Sequence, residues 1–183
     1  MKLITMILSG LLIHLSSWTG TFAIGGERIQ APLFRISNME GQRFDSRNFS
    51  GKSIVLSFFY TGCAPCIKEM PLLYQFLKSH GALDRLLFVD SYVEGLGIAD
   101  TTDTELKIRK FAERLNIPTE NIYHDVIGTL ARKIAGSGVF IEAAGSGVLL
   151  GFPSLVVING QGEIVYVQEG SKETFLQEIK PYL

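Results

Sequence analysis

The sequence predicts an α/β fold in which a central mixed β-sheet is flanked by helices on both faces. Buried-strand patterns alternate with helical patterns from Ile54 to Ile134, which is typical of parallel strands joined by helices. A β-hairpin pattern near the C-terminus adds antiparallel strands. The 183 residues fit one domain with one core. A net charge of −1 from dispersed, balanced charges gives no electrostatic case for a nucleic-acid partner or an anionic membrane surface.

The first 23 residues have the composition of a signal peptide. Lys2 supplies the positive start, Leu3–Leu15 is largely apolar, and Thr21–Ala23 provides the small residues of a cleavage site. We expect one mature domain over residues 24–183, in the periplasm or another extracytoplasmic compartment. The alternative is an uncleaved anchor, but polar residues interrupt the apolar run, and a membrane span needs about 20 apolar residues. Membrane association is expected only if the leader is retained.

The N-terminal part of the domain predicts a β-hairpin extension followed by the central strand. Pro32–Ile36 and Gln42–Phe44 flank a turn made by residues 38–41, whose Asn and Gly favour a tight connection. Ile54–Tyr60 is a continuous apolar run, as expected for a strand buried on both faces. A helix follows, because apolar residues recur at helical spacing from Ile67 to Leu77, and Gly81 is its expected stop.

The second half of the domain continues the alternation. Its expected elements are a strand over Leu86–Val93, a helix from Ile108 that ends before Pro118, a short strand over Ile122–His124, a helix from Ile127 to Ile134, a hairpin of Leu155–Ile158 with Ile164–Val167, and a last helix that Ser171 caps. A Gly-rich stretch over residues 136–151 interrupts the pattern, and we interpret it as a surface insertion.

Cys63 and Cys66 are the only cysteines, and they lie at the predicted junction between the central strand and its helix. In an exported protein, one close pair indicates redox chemistry. Cys63 precedes the first helical turn, where a thiolate is stabilised, so we predict that it is the nucleophile and that the less exposed Cys66 resolves the mixed disulfide. Structural zinc would need about four ligands, and one of the three histidines, His14, falls in the leader. We expect no cofactor and no metal.

The segment Lys52–Pro71, KSIVLSFFYTGCAPCIKEMP, resembles the TlpA/ResA family of extracytoplasmic thioredoxin-like proteins, and the match extends loosely over residues 31–183. The resemblance implies a thioredoxin fold and the reduction of disulfides in exported proteins, including apocytochromes during cytochrome c maturation. Its implied partners are protein disulfide substrates and a membrane thiol–disulfide donor. It makes Cys63 and Cys66 the redox-active pair and Glu69 a helper in proton transfer. The alternative for Glu69 is a solvated carboxylate near the helix N-terminus.

The resemblance also assigns Phe152 and Pro153 to substrate binding, with Pro153 as a cis-proline that faces the cysteines. Three features depart from the family pattern. Gly62 stands where an aromatic residue usually precedes the first cysteine, which removes a wall of the site. Ser57 stands where cytosolic thioredoxins carry a buried Asp, so proton transfer by that route is absent. The Gly-rich stretch, residues 136–151, has no clear counterpart and is either a groove wall or a loose loop.

Three other functions share features with this sequence. The stretch IVLSFFYTGC is similar to copper-binding assembly factors of the Sco type, in which His124 would be the third ligand beside two cysteines. Those proteins usually place three residues between the cysteines, and this chain has two. A peroxiredoxin is disfavoured, since Thr61 lies only two residues before Cys63. A DsbA-like oxidant stays open, because the same dithiol can run in either direction.

Overall fold

The structure of the protein is a computed structural model, and it describes residues 29–49, 51–91, 104–125, 128–137 and 152–183. Within these residues the strands are β1 (Arg35–Ser37), β2 (Arg43–Asp45), β3 (Ile54–Phe59), β4 (Leu86–Ser91), β5 (Ile122–Asp125), β6 (Ser154–Ile158) and β7 (Ile164–Glu169). The α-helices are α1 (Ala64–Ser79), α2 (Glu105–Leu115), α3 (Thr129–Ala135) and α4 (Phe175–Ile179). These elements follow the order that the sequence predicts.

The central sheet of the described chain has the strand order β5-β4-β3-β6-β7. Strands β3, β4 and β5 are parallel, whereas β6 and β7 pair antiparallel. The predicted mixed sheet is therefore confirmed. Strands β1 and β2 form a separate antiparallel pair, which is the predicted N-terminal hairpin extension.

Strand β3 is buried along its whole length because both faces of the sheet are covered. Val55 and Phe59 belong to the apolar cluster that includes residues of α1, α2 and α4. Leu56 and Phe58 belong to the cluster on the other face, with residues of α3 and the hairpin extension. Each fully buried Leu or Phe side chain contributes about 1.5–3 kcal/mol. The alternation of side chains between two apolar faces explains why β3 is a continuous apolar run rather than an alternating one.

The two hairpin turns share one pattern of side-chain to backbone hydrogen bonds. The carboxamide oxygens of Asn38 and Asn159 each accept hydrogen bonds from the backbone N–H groups two and four residues later. Gly41 and Gly162 then take φ values of +77° and +81°, which a residue with a Cβ adopts only with strain. Asn38 Nδ2 also donates to the Gln42 side chain within the turn (3.0 Å) and to the distant carbonyl of Glu120 (2.9 Å), and the second of these bonds ties the hairpin extension to the sheet edge.

The helix boundaries follow local rules that the apolar spacing alone does not contain. Helix α1 ends before His80, and Gly81 takes φ +63°, so the predicted stop is confirmed. Helix α2 begins at Glu105, where the Thr104 hydroxyl oxygen accepts from a first-turn N–H. It ends at Leu115, ahead of Pro118, because Asn116 adopts the left-handed conformation at φ 54°.

The prediction that Ser171 caps the last helix is wrong. Helix α4 begins at Phe175 after Thr174, and no side-chain capping bond forms there. The Ser171 hydroxyl instead donates to the carboxylate of Glu69 on α1. A carboxylate is a charged acceptor, and the bond that it forms with a hydroxyl is stronger than a neutral capping bond.

Two expectations fall outside the described residues. They are the signal peptide over residues 1–23 and residues 138–151 of the Gly-rich stretch. Among the helices that the structure does describe, none is both long enough and apolar enough to cross a bilayer.

Candidate active site

Cys63 is the N-cap residue of α1, at the strand-to-helix junction that the sequence predicts. Its Sγ accepts a hydrogen bond from the backbone N–H of Cys66 (3.2 Å), and its own N–H donates to the carbonyl of Tyr60 (3.0 Å). Pro65 lies in the first turn, where its missing N–H removes no helical hydrogen bond. The remaining first-turn N–H groups and the helix dipole concentrate positive charge at this sulfur, so they stabilise a thiolate when the pair is reduced.

Cys63 and Cys66 are joined by a disulfide, and their Cα atoms are 5.3 Å apart. Cys66 is the less exposed of the two, as predicted, but the margin is small, since Cys63 exposes 1% of its surface and Cys66 0%. Both sulfurs belong to the apolar cluster that also contains Phe59 and Met70. Both sulfurs are therefore almost wholly covered by their neighbours.

The cis-proline that the family resemblance implies is present, because the Phe152–Pro153 peptide bond is cis. Pro153 directly precedes β6, and the first residue of β6, Ser154, pairs with Phe58 near the end of β3. Since β6 runs antiparallel to β3, its beginning lies at the sheet edge where β3 ends and Cys63 follows. The sheet thus brings two segments that are distant in sequence to one edge.

The sequence predicts that Gly62 removes an aromatic wall of the site, but the structure has another aromatic ring next to this glycine. A Cβ on residue 62 would lie 2.9 Å from Cε2 of Tyr60, so the Tyr60 ring occupies the space beside this glycine. The same ring meets the ring of Phe152 edge-on, with the centroids 5.3 Å apart and the planes at 83°. Tyr60 is thus a site residue that the sequence analysis missed. The available signal was Gly62, because a residue without a side chain leaves room for a neighbouring ring.

Glu69 is buried on α1, with 8% of its surface exposed, so the solvated alternative for this carboxylate is not what the structure contains. Its Oε1 accepts hydrogen bonds from the Ser171 hydroxyl and from the backbone N–H of Lys172 (3.0 Å). Cys66 and Glu69 are three residues apart on the same helix and therefore share one face. The carboxylate consequently links the cysteine-bearing helix to the segment before α4.

His124, the candidate copper ligand, pairs with Asp90 on the neighbouring strand. The two residues are in register, and His124 Nε2 lies 3.5 Å from Asp90 Oδ2. Ser57 is buried within β3, so this buried position of the strand carries a hydroxyl group and no carboxylate. In the ranges of the chain that the structure covers, no group of three or more His, Cys, Asp or Glu side chains is arranged to hold a metal ion.

Comparisons with known proteins agree with this geometry. The family model described as Redoxin matches residues 26–181. The thiol-disulfide oxidoreductase ResA of Halalkalibacterium halodurans is 28% identical over 160 residues, which cover 83% of this chain and 76% of that protein. The protein of the same name from Bacillus cereus is 25% identical over 190 residues, which cover 98% and 94%.

A solved structure shows the same fold. It is a thiol:disulfide interchange protein of the thioredoxin family from Chlorobium tepidum TLS, with a TM-score of 0.65, 23% identity, and coverage of 86% of this chain and 97% of that chain. The family match covers most of the sequence, and the ResA-like resemblance that the cysteine motif predicts is confirmed. The chain belongs to the Redoxin family, and it is a thiol:disulfide oxidoreductase with a thioredoxin-like fold.

Proposed function

We propose that this protein reduces disulfide bonds in exported proteins, apocytochromes awaiting haem attachment among them, and that it works outside the cytoplasm. The observation that carries the proposal is the Cys63–Cys66 disulfide at the N-terminus of α1, at the sheet edge where β3 ends and β6 begins. At that place one sulfur has a thiolate-stabilising helix end, and the other is one turn away, where it can complete the exchange.

The proposed reaction transfers two electrons from the reduced protein to a substrate disulfide. The Cys63 thiolate attacks one substrate sulfur, a mixed disulfide forms, and the other substrate sulfur leaves as a thiolate that takes a proton from water. The thiol of Cys66 then loses its proton and attacks Cys63 Sγ. The mixed disulfide breaks, the second substrate sulfur leaves as a thiolate that also takes up a proton, and the Cys63–Cys66 bond closes. A dithiol donor, proposed to be a membrane thiol–disulfide protein, must reduce this bond before the next turnover.

Two further groups have proposed roles in this reaction. Phe152 and Pro153 bind the substrate segment, since they lie where β6 begins, at the sheet edge that carries the cysteines. Glu69 accepts the proton of Cys66, because the two side chains share a face of α1 and both are buried. The hydrogen bonds from Ser171 and Lys172 hold the carboxylate in place for this transfer.

The compartment and the direction of the reaction rest on separate arguments. A signal peptide over residues 1–23 would export the mature domain, and a single close cysteine pair suits an oxidising compartment. The reducing direction follows from the resemblance to the TlpA/ResA family. A redox titration of the cysteine pair tests the direction directly. A reduction potential of about −270 mV is that of a thioredoxin-like reductant, and a potential of about −120 mV is that of a DsbA-like oxidant.

The decisive experiment compares the two single-cysteine variants of the mature protein with a protein disulfide as substrate. Cys63→Ser should abolish reduction, whereas Cys66→Ser should accumulate a mixed disulfide that non-reducing electrophoresis detects. His124→Ala is the matched control, since it should keep reduction at the wild-type rate. Turnover retained in Cys63→Ser would contradict the proposal. Tight, stoichiometric Cu(I) binding by the reduced protein that His124→Ala abolishes would favour the copper-binding alternative instead.

A further inference from the structure

The position of the Tyr60 ring depends on the absence of a side chain at residue 62. Any Cβ there would approach Cε2 of Tyr60 to 2.9 Å and Cδ2 to 3.3 Å, the first of which is closer than real Cβ atoms come to other atoms. Those two atoms belong to a ring that can rotate, so a side chain at 62 would displace the ring rather than the backbone. Gly62 and Tyr60 therefore act as a pair, in which the glycine leaves room for the ring one residue before the nucleophilic cysteine.

The Tyr60 ring also joins two segments of the site. It contacts Phe152 edge-on, an arrangement that aromatic rings favour, and both residues are half-buried against the cluster that holds Cys63 and Cys66. Tyr60 directly follows the central strand β3, whereas Phe152 precedes the cis-proline. The two rings form one aromatic surface against the apolar cluster that contains the disulfide, and we call it the Tyr60–Phe152 wall.

The segment that carries Tyr60 and the cysteines is uncharged. Residues 60–67 read YTGCAPCI and contain no ionisable side chain other than the tyrosine and the two cysteines. Within that segment Ala64 and Pro65 are exposed, and Ile67 exposes 37% of its surface although it is a large apolar residue. A substrate segment that reaches Cys63 would therefore meet exposed apolar residues of this segment as well as the aromatic rings.

We propose that Tyr60 is a specificity-determining residue, and that the Tyr60–Phe152 wall binds an apolar or aromatic side chain adjacent to the reacting cysteine of the substrate. The inference rests on the proposed function, because it concerns which protein disulfides are reduced. An aromatic contact of this kind changes binding by about two- to tenfold. A carboxylate at the same substrate position gains no such contact and loses solvation against an apolar surface.

The test uses two disulfide-linked peptides that differ only in the residue next to the reacting cysteine, Phe in one and Glu in the other. The reduced mature protein should have a higher kcat/KM for the Phe peptide, mainly through a lower KM. Tyr60→Ala should reduce this preference by about three- to tenfold. Gly62→Ala should reduce it similarly, because the new methyl group displaces the ring. Tyr60→Phe should keep the preference, since the ring rather than the hydroxyl forms the wall.

A double-mutant cycle makes the test independent of simple loss of structure. In the Tyr60→Ala background, Gly62→Ala should have no further effect on the preference, because no ring remains to be displaced. Additive effects would overturn the inference, as would a preference that stays within twofold of wild type in Tyr60→Ala or is lost in Tyr60→Phe. If the wild type reduces both peptides equally well, this inference fails and the proposed function stands. If it reduces neither peptide, nor any protein disulfide, both fail.

Discussion

Replacement of Glu69 separates the two roles that its position allows, an anchor for the chain before α4 and a proton acceptor for Cys66. Glu69→Gln removes the charge but keeps an oxygen that can accept from Ser171 and Lys172. Glu69→Ala removes both. Ser171→Ala is the matched control, because it deletes one of the two anchoring hydrogen bonds and leaves the carboxylate in place.

The structure sets the expected size of the stability change. Hydrogen bonds to a charged group contribute about 1.5–3 kcal/mol each. Ser171 and Lys172 are exposed, so water replaces part of the lost interaction. We therefore expect Glu69→Ala to lower the free energy of unfolding by about 1–3 kcal/mol, and Glu69→Gln or Ser171→Ala by less than about 1 kcal/mol, as measured by urea denaturation.

The activity should follow a different order. A general base typically contributes about 10²–10⁴-fold, but water and hydroxide also accept protons from thiols, so we expect a deficit of about tenfold for Glu69→Gln near pH 6. The deficit should shrink above about pH 8.5, where an ordinary thiol ionises without help. The assay is single-turnover reduction of a peptide disulfide across this pH range. A Glu69→Gln variant with the wild-type pH–rate profile would show that Glu69 serves only as an anchor.

Two further predictions concern stability. Asn38→Ala should lower the free energy of unfolding by about 2–4 kcal/mol, because the buried Asn38 side chain accepts two backbone hydrogen bonds in its turn and donates to the Glu120 carbonyl; a loss below about 1 kcal/mol in urea denaturation would contradict this. The hydrogen bond from Lys172, followed by that from the Thr174 hydroxyl, lowers the pKa of Glu178 below its usual value of 4.5. The carboxylate of Glu178 therefore contributes to the stability of the fold above pH 4.5, and this contribution is lost as the pH falls through the lowered pKa. Glu178→Gln should therefore make stability less acid-sensitive below about pH 4.5, and acid titrations monitored by circular dichroism that coincide with the wild type would refute the assignment.

Much of the fold is predictable because local chemistry determines it. The apolar run of β3 must be covered on both faces, and that requirement alone predicts a central strand. Asn38 and Asn159, each three residues before a glycine, predict the two hairpins, because a carboxamide and a left-handed residue together close such turns. The cysteine pair at a strand-to-helix junction is likewise a local signal, and the structure places Cys63 at the N-cap as expected.

The features that the sequence did not reveal depend on contacts between distant segments. Ser171 is a reasonable capping residue by type, but a carboxylate that arrives from α1 competes for its hydroxyl. The space beside Gly62 looked empty because the residue that fills it, Tyr60, reaches it through the turn between them and is held by Phe152 from the far end of the chain. The spacing of apolar residues predicts which face of a helix or strand is buried, but it does not predict which residue of a distant segment packs against that face.

The meeting of those distant segments is determined by the pairing register of β3 and β6. Phe58 pairs with Ser154, so Pro153 and Phe152 lie level with the last residues of β3 and with the turn that carries Tyr60. A shift of one residue would move Phe152 by about 3.3 Å along the strand and would exchange the two apolar faces of β6. Because β6 is buried along its whole length against two different clusters, such a slip would mispack both faces at once. The pairing register that packs the core therefore also brings Phe152 into contact with Tyr60.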